Sequence, residues 1–153
     1  MEIEELLPHA KPMVVLNEVG ELDMENSSAS ARFTVGKNDV FFEEDLNGVA
    51  AHFALEYMAQ AIGVFVGLWG KARDPNFKQE IGFVLGTRKM QLNVPVFCEG
   101  KTYLVEAKKV FFDSEMASFD CAIFDENKNL CASATVNAFK PNDPLKYINQ
   151  NNG

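Results

Sequence analysis

The feature that most constrains this 153-residue chain is the stretch Ala50–Gly70, AAHFALEYMAQAIGVFVGLWG. Apolar residues recur in it at helical spacing. Phe53, Tyr57 and Ala61 follow one line, and Leu55, Met58, Ile62, Phe65 and Trp69 another. A helix apolar on so many sides has to be buried, so the rest of the chain is expected to wrap around it. His52, Glu56 and Gln60 break the pattern at intervals of four, which puts three polar groups on one helical face. Gly63 and Gly67 continue roughly that face and lower it, leaving room for another backbone or a ligand. A carboxylate inside a buried helix is costly unless it is paired or used. Glu56 is therefore the leading candidate for chemistry; the plainer alternatives are a solvated edge or a partner such as Arg88 or a lysine. A membrane span is disfavoured, because the uninterrupted apolar run is only Ala61–Gly70, half of the roughly 20 residues a span requires.

Composition narrows the class. The length, with 47% hydrophobic and 24% charged residues, fits one soluble domain. That domain is expected over residues 1–140, with a polar C-terminal tail over 141–153. The N-terminal MEIEELLPH lacks the basic start and apolar run of a signal peptide, so a cytoplasmic location is expected. Cys98, Cys121 and Cys131 are odd in number, lack metal-ligand spacing and sit in strand-like runs, which reads as buried, reduced thiols. With only two histidines, no metal site is expected, and no cofactor. The net charge of −8 argues against nucleic acid, which calls for a basic face. An anionic partner such as a carrier protein or coenzyme A would need a local basic patch. Lys71, Arg73 and Lys78, or Arg88 and Lys89, are the candidates.

Taken in order, Glu2–Leu7 reads as a helical turn ended by Pro8, Met13–Val19 as a first strand and Ser28–Val35 as a second. Residues 36–48 read as a loop that leads into the helix near Asn47–Ala50. After the polar connection KARDPNFKQE, Ile81–Val94 is a strand in which Gly82 and Gly86 point to a bulge or a close ligand approach. Pro95–Gly100 reads as a turn. Thr102–Phe112, Ser118–Phe124 and Leu130–Phe139 follow as strands, the last two joined by the DENKN hairpin loop. Two strands, a long apolar helix and about four strands describe an α+β domain, an antiparallel sheet wrapped around one long central helix.

Several motifs carry a resemblance. Leu7-Pro8-His9 with Pro12-Met13 resembles the opening of the hotdog-fold 3-hydroxyacyl-(acyl carrier protein) dehydratases. Leu55-Glu56-Tyr57-Met58-Ala59-Gln60-Ala61 is similar to their central-helix signature, and Gly82–Gly100 with Pro95-Val96 to their strand and turn. The nearest subgroup is the dehydratase-like proteins of aryl polyene gene clusters. The resemblance implies a dimer with active sites at the subunit interface and an acyl tunnel beside the central helix. It also implies that Glu56 protonates the departing β-hydroxyl while a histidine takes the α proton. A backbone N–H at the helix start would polarise the thioester carbonyl.

One departure matters. The family's histidine-bearing loop before the helix corresponds here to Phe41–Ala51, FFEEDLNGVAA, which has no histidine. The base would have to be His9 or His52. Gln60, Gly63, Phe83 and Gly86 are the candidate substrate-binding positions. The expected substrate is an acyl thioester of acyl carrier protein or coenzyme A. The expected assembly is a homodimer, or a heterodimer with another hotdog subunit. The competing readings are a hotdog thioesterase, with Glu56 activating water or attacking the carbonyl, and a non-catalytic partner subunit.

Overall fold

Alternating apolar residues in the second half of the chain build an antiparallel sheet in the computed structural model, which describes residues 14–76, 84–112 and 116–139. Six strands form it: β1 (Glu18–Asp23), β2 (Ser28–Thr34), β5 (Val84–Leu92), β7 (Thr102–Phe112), β8 (Met116–Phe124) and β9 (Leu130–Phe139). Their spatial order is β1-β2-β7-β8-β9-β5. A second, small sheet joins β3 (Phe42–Glu43), β4 (Gly48–Ala50) and β6 (Val96–Cys98). The one α-helix among the described residues, α1 (Ala54–Arg73), packs on one face of the large sheet, mainly on β2, β7 and β8.

The period-2 pattern of the strands decides which face meets the helix. Ala29, Ala31 and Phe33 of β2, Tyr103, Val105 and Ala107 of β7, and Phe119, Cys121 and Ile123 of β8 are all buried. Ladder pairing aligns them into rows, one of which runs Ala29–Ala107–Cys121–Ala134. That row is made of small side chains, which lets the helix approach the sheet closely. At its N-terminal half α1 meets aromatic rings instead. Tyr57 stacks on Phe33 with centroids 3.7 Å apart, and Phe97 closes on both rings edge-on at 5.6 Å. Met58, Ile62 and Val64 are fully buried below them. Each such side chain contributes roughly 1.5–3 kcal/mol by leaving water.

The structure departs from the sequence reading in several places. The first strand is Glu18–Asp23 rather than Met13–Val19. Val15 instead gives its N–H to the Gln60 side chain at 2.8 Å, and Asn17 spends its N–H on Arg32 and its amide oxygen on Thr34. Residues 36–48, read as loop, contain β3, a 3-10 turn over Glu44–Leu46 and the start of β4. Gly48 is required there, because a Cβ would overlap the Phe97 carbonyl across the β4–β6 pair. The helix starts later than expected, after a 3-10 turn over Ala51–Phe53, and runs three residues beyond Gly70. Pro95–Gly100, read as a turn, includes β6, so five strands follow the helix instead of four. The irregularity in β5 falls between Arg88 and Gln91, with Lys89 left-handed at φ 57°, while Gly86 pairs regularly with Asn137.

Candidate functional site

The site grows out of the way the chain enters α1. Residues Ala51–Phe53 make a 3-10 turn, and neither this turn nor α1 has a side-chain cap. The turn is held from outside: Ala51 donates its N–H to the Pro95 carbonyl at 2.9 Å. That bond ties the helix entrance to the segment between β5 and β6. Asn93 fixes the same segment to β9, donating its backbone N–H to Cys131 at 2.8 Å and its side-chain amide to Leu130 at 3.1 Å. Between helix entrance and segment lies an open depression of about 460 Å³ lined by Ala51, His52, Leu92, Asn93, Val94 and Pro95. The sequence reading missed Leu92–Pro95 as a lining; the only signal was an Asn and a Pro interrupting a strand pattern.

His52 is exposed at the mouth of this depression, its ring 4.3 Å from Phe53, which in turn stacks on Phe41 at 4.3 Å. Glu56 sits in the first turn of α1, half-buried. Among the described residues its carboxylate has no hydrogen bond and no ion pair, so Arg88, itself exposed, is not its partner. The depression that holds His52 does not include Glu56, and no hydrogen bond joins the two. The helix begins between the two, after the 3-10 turn that carries His52.

Gln60 belongs to the interior. Its side chain is fully buried and its Oε1 accepts the Val15 N–H at 2.8 Å, pinning the segment before β1 to the helix. Gly63 is buried on α1, one turn further along. A Cβ on Gly86 would meet nothing within 4 Å, so no part of the described chain makes the close approach expected there. His9, Phe83, Gly82 and Lys78 lie outside the described residues.

Next to Glu56, Tyr57 turns the other way. Its ring is buried, its hydroxyl has no hydrogen-bond partner among the described residues, and burial drives its pKa well above the ordinary tyrosine value. Tyr103 lies close by and takes the Cys98 N–H at 2.8 Å; burial pushes it up to about 12. Of the three thiols, Cys121 and Cys131 are buried, and burial pushes Cys121 to about 12. Cys98 is exposed, contrary to the expectation for all three. Arg73 at the C-terminal end of α1 and Lys109 of β7 both lie over the Trp69 ring, 5.2 and 4.8 Å from its centroid. Among the described residues, no three His, Cys, Asp or Glu side chains gather as a metal-binding group. Residues Ala51–Arg73 are long and apolar enough in composition to cross a membrane, but 61% of that window is buried inside the fold, as in a core helix.

Solved structures share this architecture. The chain is similar to one from the dehydratase heterocomplex ApeI:P of Xenorhabdus doucetiae, at 26% identity and a TM-score of 0.86, covering 100% of this chain and 99% of that one. Escherichia coli PaaI, from the phenylacetic acid degradation operon, matches at 12% identity and a TM-score of 0.59, over 80% of this chain and 82% of its own. A hypothetical thioesterase from Streptococcus pneumoniae, solved with coenzyme A, matches at 12% identity and 0.54, over 80% and 83%. These last two establish the hotdog fold alone. A family model described as ApeP-like, ApeP dehydratase, matches residues 1–149. With that match across nearly the whole sequence, the chain belongs to the ApeP-like dehydratase family.

Proposed function

We propose that this chain is one subunit of a cytoplasmic heterodimeric 3-hydroxyacyl thioester dehydratase, in which Glu56 is the general acid. The observation that carries the reading is the Glu56 carboxylate itself, half-buried in the first turn of the central helix and without a hydrogen bond or ion pair among the described residues. A half-buried carboxylate in that condition is a candidate for proton transfer. The substrate, an acyl thioester of carrier protein or coenzyme A, lies with its β-hydroxyl against Glu56. A base removes the α proton, the β C–O bond breaks, a C=C bond forms, and Glu56 gives its proton to the hydroxyl, which leaves as water. The uncapped helix entrance offers N–H groups to the thioester carbonyl as charge builds on its oxygen. The acyl chain runs along α1 past Gly63, with Gly86 and Phe83 as further wall positions. Gln60, fully buried, acts as scaffold, its oxygen taking the Val15 N–H.

The base comes from the facing subunit. His52 is exposed and opens into a separate depression, which supports assigning the proton abstraction elsewhere. A heterodimer is favoured over the homodimer by the similarity to a chain of a dehydratase heterocomplex. The second subunit would add to the free edge of β5, where Thr87, Arg88 and Lys89 are exposed in succession.

The test is an assay on a 3-hydroxyacyl thioester that follows enoyl product and free thiol together, on the chain alone and with its hotdog partner. Enoyl formation by the pair, lost in Glu56→Gln and kept in His52→Ala, is the expected result. Thiol release without enoyl product would move the chain to the thioesterases, whose fold it shares. Dehydration that survives Glu56→Gln would leave the chain a non-catalytic support for its partner.

A further inference from the structure

We infer that Tyr57 is a positioning residue for Glu56: one buried water joins its hydroxyl to the Asp39 carboxylate and fixes the turn of helix that presents the acid. The inference rests on Glu56 as general acid, as proposed above. Tyr57 is 1% exposed, and its hydroxyl has no hydrogen bond among the described residues. Folded proteins rarely leave a buried hydroxyl so, because it has lost its hydration without a replacement. The rings around it offer no strong acceptor: Phe33 stacks on Tyr57 at 3.7 Å and Phe97 closes edge-on at 5.6 Å. A phenylalanine would fill that space as well. The hydroxyl needs a reason of its own.

Asp39 supplies the other half. Past Phe33 the chain leaves β2 and turns at Gly36–Asp39, where the Asp39 N–H reaches the Gly36 carbonyl at 3.1 Å. The Gly36 N–H in turn goes to Asp39 Oδ2 at 2.8 Å. Asp39 is half-buried, and its Oδ1 takes no hydrogen bond among the described residues. Burial is the first cause of the raised Tyr57 pKa and the Asp39 carboxylate the second, so the two groups lie within electrostatic reach. A fixed donor and a fixed acceptor that do not bond directly suit a single water, which accepts from the phenol and donates to the carboxylate. Glu56 is the next residue, about 100° around the helix, so what sets the rotation at Tyr57 sets where Glu56 points. The first turn of α1 has no side-chain cap; Ala51 on Pro95 holds the chain before it and Gln60 on Val15 the turn after it. The Asp39 link holds the first turn itself. A displacement of about 1 Å at a reacting group is enough to lower a rate about 10²-fold.

Tyr57→Phe keeps the ring and removes the link at one end. Asp39→Ser keeps an oxygen beside the Gly36 N–H and removes the second one, which tests the link from the other end. Both are assayed in the full chain with its hotdog partner, on the 3-hydroxyacyl thioester used above. Each variant should lower kcat roughly tenfold with KM nearly unchanged, and the double variant should fall no further. Neither change should matter once Glu56→Gln is in place. A crystal structure of the pair should show one water between Tyr57 Oη and Asp39 Oδ1. Full kcat in Tyr57→Phe overturns the inference and leaves Glu56 standing. So do losses that multiply in the double variant, or a protein group bonded to the Tyr57 hydroxyl in the crystal. Dehydration that survives Glu56→Gln overturns both.

Discussion

The two sides of α1's first two turns differ more than any other pair of neighbouring regions in the molecule. Toward the sheet, Tyr57, Met58 and Ala61 meet Phe33, Phe97 and Val105, all at or below 1% exposure. Away from it, His52, Glu56 and the Phe41–Phe53 stack are left partly in water, and Glu56 has no hydrogen bond or ion pair among the described residues. Residues 56 and 57 are adjacent in sequence and opposite in circumstance. The first side is finished by the chain itself, so changes there, the Tyr57 hydroxyl apart, should act through stability. The second is left open by the described residues, and under the proposed function changes there should act through activity or assembly.

Glu56→Gln set against Phe97→Ala is the sharpest way to break that contrast. Glu56→Gln should lower dehydration by the pair about 10²–10⁴-fold while leaving the melting temperature of the isolated chain nearly unchanged. Phe97→Ala should cost about 3–5 kcal/mol in denaturant unfolding, with activity per folded molecule retained. If the two variants trade places, the division of the helix into a structural and a functional side is wrong. Gln60→Leu comes next. It leaves the Val15 N–H without its acceptor inside the protein, which costs about 1–3 kcal/mol. Faster hydrogen exchange at Val15 should accompany that loss.

The finished side also predicts alkaline behaviour. Burial raises the Cys121 thiol from 9.0 and the Tyr103 hydroxyl from 10.0, each to about 12. Both stay protonated in the folded chain while the unfolded chain has begun to release its protons. Their stabilising contribution is whole below about pH 9 and is lost as pH rises toward 12. Urea midpoints measured across that window should fall, and native thiol labelling at neutral pH should modify Cys98 while sparing Cys121. The smallest effect is expected at Asp125, whose carboxylate takes the N–H groups of Asn127 and Asn129 and is held below 3.8 chiefly by the Asn129 backbone bond. Its contribution is present above pH 3.8 and disappears as pH falls through the lowered value. A melting-temperature difference between wild type and Asp125→Ala that persists in strong acid would contradict this.

Much of the architecture was legible because its signals are local. The strands Thr102–Phe112 and Leu130–Phe139 match their alternating runs end to end, and the DENKN hairpin is where its turn residues place it. The helix announced itself through periodicity, but its first turn did not: Ala-Ala-His-Phe contains no capping residue, and its start is fixed by a bond to Pro95 that sequence spacing does not encode. That one turn decides the site. It puts His52 in a 3-10 turn and Glu56 in the α-helix, so the spacing of four does not lie on one unbroken helix. The strand at Met13–Val19 failed similarly, because a buried amide 45 residues away claimed Val15. Glu56 and Gln60, alike in polarity and one turn apart, differ in burial: Glu56 is half-buried, while Gln60 is fully buried and accepts the Val15 N–H.

The bulge in β5 has a consequence for how the molecule meets another chain. β5 closes one border of the large sheet, and at Lys89 the backbone swings left-handed, so the ladder loses step between Arg88 and Gln91. A uniform border would let an incoming strand slide two residues at a time and still find a bond at every rung. A border with a notch in it has one lengthwise alignment in which both halves fit. Under the heterodimer proposal the notch would work as a key, admitting a strand cut to match and turning away the indiscriminate stacking to which open sheet borders are prone.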